Sequence, residues 1–284
     1  MYRLRRFMQQ FFRNRLASGA LVLTSLMFLI GFIGLIAYPV SPLSVAGRPL
    51  EMPGPAHPMG TDDLGRDILA QFLNGSRTSF LVGFSVVAVA LVVGIMVGAI
   101  SGYFGGKIDA ILMRMTEIFL VLPTFIFAVV LVSVFGSSIW NVIFIIGIIS
   151  WPTTARLLRA EFLSLKESEF VKAATAIGDS KKGIIFTEIL PNAITPIVVN
   201  SSFEVSKAIL AEAGLSFLGL GDPNTISWGQ MLFNARLFMR IAWWLSIFPG
   251  LAIFLLILAL NIVGDGLNEA LNPHKTRRRK SLTQ

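Results

Sequence analysis

The sequence predicts an all-α membrane protein with about six transmembrane helices. Three observations carry this. Hydrophobic residues make up 54% of the chain against 14% charged, and the mean hydropathy is +0.73, a balance that water-soluble domains do not show. The apolar residues fall in runs long enough to cross a hydrocarbon core, which takes about 20 residues of helix. Lys and Arg gather at the two ends and in some of the connections, as they do where basic loops are retained on one side of a membrane.

Each run has to be helical because lipid offers the backbone no hydrogen-bond partner. The spans are expected at about 17–39, 79–101, 110–134, 138–155, 192–212 and 242–264. A basic start (Arg3, Arg5, Arg6, Arg13, Arg15) before an apolar run also opens cleavable signal peptides. Here the run from Ala17 to Tyr38 has full spanning length, so it reads as an anchor that stays. The basic connections hold Lys107 and Arg114, then Arg156, Arg159, Lys166, Lys172, Lys181 and Lys182, and the tail holds Lys275 through Lys280. Placing these inside puts both termini in the cytoplasm and leaves Arg48, Arg66, Arg77, Arg236 and Arg240 outside. The expected organisation is an anchor helix and outer loop over 1–78, a core over 79–272 with an inner loop at 156–188, and a basic cytoplasmic tail over 273–284. The tail is most simply held at anionic headgroups of the membrane lipid.

Several features inside this frame bear on function. Gly94, Gly98 and Gly102 recur every four positions, either as a face that lets a second helix approach closely or as glycine merely tolerated in a membrane helix. The fifth span carries Glu204, Lys207 and Glu212; charges at bilayer depth cost at least a few kcal/mol each unless paired or wet. Glu204 and Lys207 are three apart and can pair on one helix face, and all three are candidates to line a translocation path. The first outer loop, about 40–77, is proline-rich and contains Met59 to Asp67; the last, about 213–241, has the turn residues Gly219 to Pro223 and is expected to be ordered.

The inner loop reads as a docking element. On a 3.6-residue period Phe170, Ala173, Ala174 and Ile177 share one face, with Glu169 and Lys172 at its sides. Gly178 is placed to end this helix in the left-handed conformation, and Asp179 or Ser180 to cap the next. By periodicity alone it could equally rest on lipid headgroups.

Other chemistry is excluded or disfavoured. The chain has no cysteine and two histidines, His57 and His274, which the expected topology puts on opposite sides of the membrane. Gly219-Leu220-Gly221-Asp222 matches the GxGD of intramembrane aspartyl proteases, but the second aspartate within an apolar helix is missing, since Asp109 and Asp265 fall at the opposite end of their spans. Gly105-Gly106-Lys107 has the wrong spacing for a phosphate-binding loop, so the chain is not expected to be an enzyme, and its energy must come from a partner or an ion gradient. The net charge of +8 follows topology, which makes a nucleic-acid partner a poor expectation. No inverted repeat with broken helices is visible in the two halves, which counts against a gradient-driven carrier, the alternative of a different class.

The stretch Arg159 to Gly178, continuing to Ile189-Leu190-Pro191-Asn192-Ala193, resembles the EAA loop of ABC importer permeases. So do longer segments resemble the C-type subunit of the dipeptide, oligopeptide and nickel permeases: His57 to Asp67, Leu210 to Gly221, Ser227 to Leu232, Trp243-Trp244 with Phe248-Pro249-Gly250, and Gly264 to Asn268 with Asn272-Pro273. The resemblance implies a type I ABC importer permease fold in a bacterial or archaeal cell (inner) membrane. It implies a di- or oligopeptide substrate, with nickel or a metal chelate as the alternative. The implied partners are a second permease subunit, two ATPase subunits that use ATP and Mg, and an extracytoplasmic solute-binding protein, with no cofactor on this chain. In such permeases the loop inserts a coupling helix into a cleft of the ATPase, a role that would fall here to Glu169, Phe170, Lys172, Ala173, Ala174, Ile177 and Gly178. Two positions depart from the pattern: Lys172 stands where the glutamate of the EAA triplet is usual, and Glu188 where histidine is frequent. The loop after Gly221 is also one residue shorter than usual.

Overall fold

The computed structural model describes residues 2–271; His274 and the basic tail expected over 273–284 lie outside the described residues. The first element has no counterpart among the expected spans: α1 (Tyr2–Arg13) precedes the membrane helix. Asn14 separates the two with extended backbone, and its side chain accepts from Ala17 N to cap α2 (Arg15–Ala37).

The second span begins much earlier than expected. Asp67 caps α3 (Ile68–Phe104) by accepting from Ala70 N at 2.9 Å, so residues 68–77 of the expected outer loop are helical and a boundary at 78/79 falls inside one helix. The third expected span is not a straight helix. α4 (Gly106–Val121) and α5 (Thr124–Phe135) meet at 87°, because Pro123 bars the preceding residue from the α region, and Leu122 is extended (φ −71°, ψ 132°).

α6 (Ile139–Lys166) runs well past residue 155 and takes Arg156, Arg159 and Lys166 out of the expected inner loop. Then follow α7 (Glu169–Ile177), the short turn α8 (Lys181–Gly183) capped by Ser180, and a π-helical turn Ile184–Ile189 leading into α9 (Leu190–Leu215). A second π-helical turn, Ser216–Leu220, leads to α10 (Trp228–Ala235), and α11 (Trp244–Leu271) completes the described chain. Among the described residues five helices are long and apolar enough to cross a membrane, or six if the bent pair is one span.

The core is organised by α3 and α6, which run in parallel at backbone contact. A Cβ on Gly94 would lie 2.7 Å from Thr154 Cβ, one on Gly98 2.6 Å from the Ala155 carbonyl oxygen, and one on Gly102 2.5 Å from Phe162 Cβ. The three glycines are therefore an intrachain packing face. From the opposite side Gly147 of α6 admits Val89 of α3, where a Cβ would meet Val89 Cβ at 2.7 Å. α9 and α11 complete the bundle, with Phe80, Val205, Ile209 and Leu256 buried between them and α3.

At the other end of α3 two tryptophans hold the adjoining segments in place. Trp228 Nε1 donates to the Phe72 carbonyl at 3.1 Å and Trp244 Nε1 to the Thr61 carbonyl at 3.2 Å. Gly60, at φ +78°, leaves room for this contact, since a Cβ there would meet Trp244 Nε1 at 2.8 Å. The ordered last outer loop expected from its turn residues is thus present, built on α10.

Gly98→Leu should destabilise the bundle by at least about 1–3 kcal/mol, because its nearest obstacle is backbone and cannot rotate away. Gly19→Ala, where a Cβ meets nothing within 4 Å, should be neutral or slightly stabilising. Thermal unfolding of the two variants in the same detergent distinguishes them.

Candidate functional site

Two features facing different directions make up the candidate site. The first is α7. Its C-terminus is closed by Gly178 (φ 94°, ψ 21°), with Gly178 N donating to Thr175 O and Asp179 N to Ala174 O at 3.1 Å each. This double bond pattern stops the helix sharply. Val171 and Ala174 turn inward onto Leu158 and Phe162 of α6, Ile184 and Ile189 of the π-helical turn, and Ala193 of α9. Phe170, Ala173 and Ile177 remain exposed, Ile177 to 84%. The expected four-residue face is therefore corrected: Ala174, 8% exposed, belongs to the seat of the helix and not to its free surface, because α7 packs on the side centred on Val171. Lys172 finds Glu167 at 3.4 Å, a pair so exposed that it adds at most about 1 kcal/mol, and Glu169 is exposed.

The second feature is a cavity of about 520 Å³, open on one side and lined by α4, α5, α6 and α9. The 87° bend creates it, with Phe119 and Leu120 before the break and Thr124 and Phe125 after it on the wall. Most of the lining is apolar, with Thr124, Ser150, Thr153, Glu204 and Lys207 as its polar members. Lys207 Nζ donates to Glu204 Oε1 at 2.9 Å, the pairing that the i, i+3 spacing predicts. Glu204 is nearly buried, whereas the Lys207 side chain is 66% exposed towards the open side.

Comparison with known proteins shows which machinery these features belong to. Residues 94–277 match the family described as the binding-protein-dependent transport system inner membrane component. The dipeptide transport system permease protein DppC of Alkalihalophilus pseudofirmus is 39% identical over 93% of this chain and 88% of its own length. The di/tripeptide transport system permease protein DppC of Pseudomonas aeruginosa is 37% identical over 95% and 92%, and the glutathione transport system permease protein GsiD of Pectobacterium atrosepticum 38% over 95% and 90%. The fold is similar to that of a chain of the MetNI methionine ABC transporter in an inward-facing conformation, with a TM-score of 0.57 at 17% identity over 70% of this chain and 96% of that one.

The chain belongs to the inner-membrane components of binding-protein-dependent transport systems. It is a multi-pass ABC importer permease, and such permeases work with ATPase and substrate-binding partners.

Three further parts of the permease become legible only in the fold. Asp109 of α4 receives both Arg159 Nε and Nη2, each at 2.6 Å, and also the Ser101 hydroxyl of α3. This two-pronged ion pair braces three helices close to the seat of α7, and Lys166 Nζ adds a bond to the Tyr103 carbonyl at 2.7 Å. In the sequence Asp109 and Arg159 stand 50 residues apart, and no spacing rule joins them.

Glu212 is the second. Of the three charged residues expected along a path, Glu204 and Lys207 line the cavity, but Glu212 is buried elsewhere, 2% exposed. Its Oε1 accepts from the Ser216 and Ser227 hydroxyls, both at 2.7 Å, and Ser227 Oγ in turn accepts from Gln230 N. Glu212 therefore ties the end of α9 to the start of α10. The third part is the loop between α2 and α3, where Asp67, besides capping α3, accepts from the Tyr38 hydroxyl and holds His57 Nδ1, both at 2.9 Å. Asp62 accepts from Leu64 N, Arg66 N and Gln71 Nε2. These carboxylates build the loop, and their spacing in the sequence gives no sign of the geometry.

Asp109→Ala should lower stability by about 1–3 kcal/mol, between the values for exposed and buried pairs, since Arg159 keeps its charge in a half-buried place. Adding Arg159→Ala should return part of the loss, and a double-mutant cycle of unfolding midpoints measures it.

Proposed function

We propose that this permease forms one half of the translocation path of an ATP-driven importer of di- and oligopeptides, and that α7 is its coupling helix. The observation that carries the reading is the division of α7 into a seated face, Val171 and Ala174, and a free apolar face, Phe170, Ala173 and Ile177. A helix held on α6, α9 and the intervening π-helical turn passes a push on its free face directly to membrane-spanning elements. Closure of the ATPases would move these as rigid bodies between inward-open and outward-open states. Glu169, Lys172 and the Gly178 turn border the free face and would meet the ATPase rim.

The relatives named for dipeptides, di/tripeptides and glutathione support a peptide substrate. The cavity supports a path: its apolar wall tolerates varied side chains, and the Glu204–Lys207 pair offers both charges to a zwitterion. A second permease subunit would close the open side, two ATPase subunits would bind and hydrolyse ATP with Mg, and a solute-binding protein would deliver substrate to the outer loops. No cofactor or catalytic step is assigned to this chain. With Lys166 at the end of α6 and Lys181 and Lys182 of α8 on the ATPase side, both termini are cytoplasmic.

Ala173→Glu should leave the protein in the membrane and ATP hydrolysis near its basal rate while uptake falls by about tenfold or more, the effect of roughly 1.4 kcal/mol at one contact. Ala174→Glu should instead lower the amount of folded permease, since it forces a charge into the seat. Paired uptake and ATPase assays in proteoliposomes read both, and normal coupling in Ala173→Glu would remove α7 from this role. Lys207→Ala should slow peptide uptake several-fold with coupling intact; full uptake would exclude the pair from the path.

A further inference from the structure

The helix that precedes the first span has chemistry of its own. Over Tyr2–Arg13 it carries Arg3, Arg5, Arg6 and Arg13 and no acidic residue. On a 3.6-residue period Phe7, Phe11, Met8 and Phe12 fall in one continuous arc, with Gln9, Gln10 and Arg13 opposite. One edge of the arc is used by the protein itself. Phe11 is 4% exposed and packs, with Phe7 beside it, in a cluster with Ala17, Val263, Leu267 and Ala270. The other edge is free: Met8 is 45% exposed and Phe12 50%.

The position of α1 restricts what can cover that edge. Asn14 alone separates it from α2, and Asn14 is fixed at both sides, by its cap to Ala17 N and by a 2.8 Å bond from Nδ2 to Glu269 Oε2 of α11. No linker lets α1 leave the level at which α2 and α11 meet the membrane surface. We infer that α1 is an interfacial helix that binds anionic phospholipid, dipping Met8 and Phe12 into the acyl boundary while the positive charge of the segment attracts anionic headgroups. It works as an anchored strut: one edge grips α11, the other grips lipid, and the end of α11 is thereby referred to the bilayer plane.

The chain has no cysteine, so a single introduced one can report on α1 in the assembled transporter. An environment-sensitive fluorophore is placed at Phe12→Cys, with Met8→Cys as a second reporter and Gln9→Cys as the control, in nanodiscs of phosphatidylcholine with or without phosphatidylglycerol. The reporters at 12 and 8 should emit at shorter wavelength than that at 9 and be quenched by lipid-borne nitroxides only when phosphatidylglycerol is present. Adding Arg13→Glu should weaken this lipid contact roughly fivefold for each unit of basic charge lost, and high salt should weaken it too. Reporters at 12, 8 and 9 that are equally water-exposed in anionic bilayers would overturn the inference. Equal contact in pure phosphatidylcholine would overturn it as well, by removing the role of charge. Protection that appears only when the ATPase subunits are present would assign the edge to a protein. None of these readings depends on peptide transport, so the coupling role of α7 stands or falls separately.

Discussion

The backbone contact between α3 and α6 sets the geometry of this permease. Where hydrocarbon surrounds the helices, association gains little from hiding apolar surface and depends instead on close packing. Gly94, Gly98 and Gly102 supply it along one side and Gly147 along the other. Because the two helices lie parallel and in register, the part of α6 that extends beyond the membrane span is stiff, and it is this part that carries Arg159, Phe162 and the seat of α7. The coupling role proposed for α7 depends on this stiffness, since a helix on a slack loop would not transmit displacement.

A bend at one proline does the complementary work. Pro123 turns α5 away from α4, and the space between the bent pair and α6 and α9 becomes the cavity that holds Glu204 and Lys207. The start of α4 is tied to α6 by Asp109 and Arg159, and the start of α6 is held by Asp222, whose carboxylate accepts from Ile139 N. Together with Glu212 between α9 and α10, these polar contacts sit where helices change direction, and the spans between them are packed by apolar and small side chains.

Much of this was legible in the residues. The apolar runs located the membrane helices, since lipid offers the backbone no partner outside its own helix; the three glycines offered a packing face as one of two readings; the i, i+3 spacing of Glu204 and Lys207 allowed their pairing; and Gly178 followed by Asp179 and Ser180 marked where one helix stops and the next turn starts. Boundaries were less legible. α3 starts at Ile68 and α6 continues to Lys166 because helices outlast the hydrocarbon they cross, and hydropathy reports only the hydrocarbon. Pro123 was visible as a residue, but a proline inside an apolar run bends some helices and breaks others: Pro152, Pro196 and Pro249 lie within continuous helices.

By itself, then, the sequence determined the class of molecule, the family and the existence of a small amphipathic helix between two apolar crossings, because each of these depends on composition, period or motif along the chain. Tertiary structure decided which side of that helix is free, that Ala174 faces inward while Ala173 does not, that Glu212 lies apart from the cavity that Glu204 and Lys207 line, and that Asp109 finds Arg159. The physical reason is the same in each case. Periodicity ranks the faces of one helix against water or lipid, but only the arrival of a second surface from elsewhere in the chain settles which face it covers.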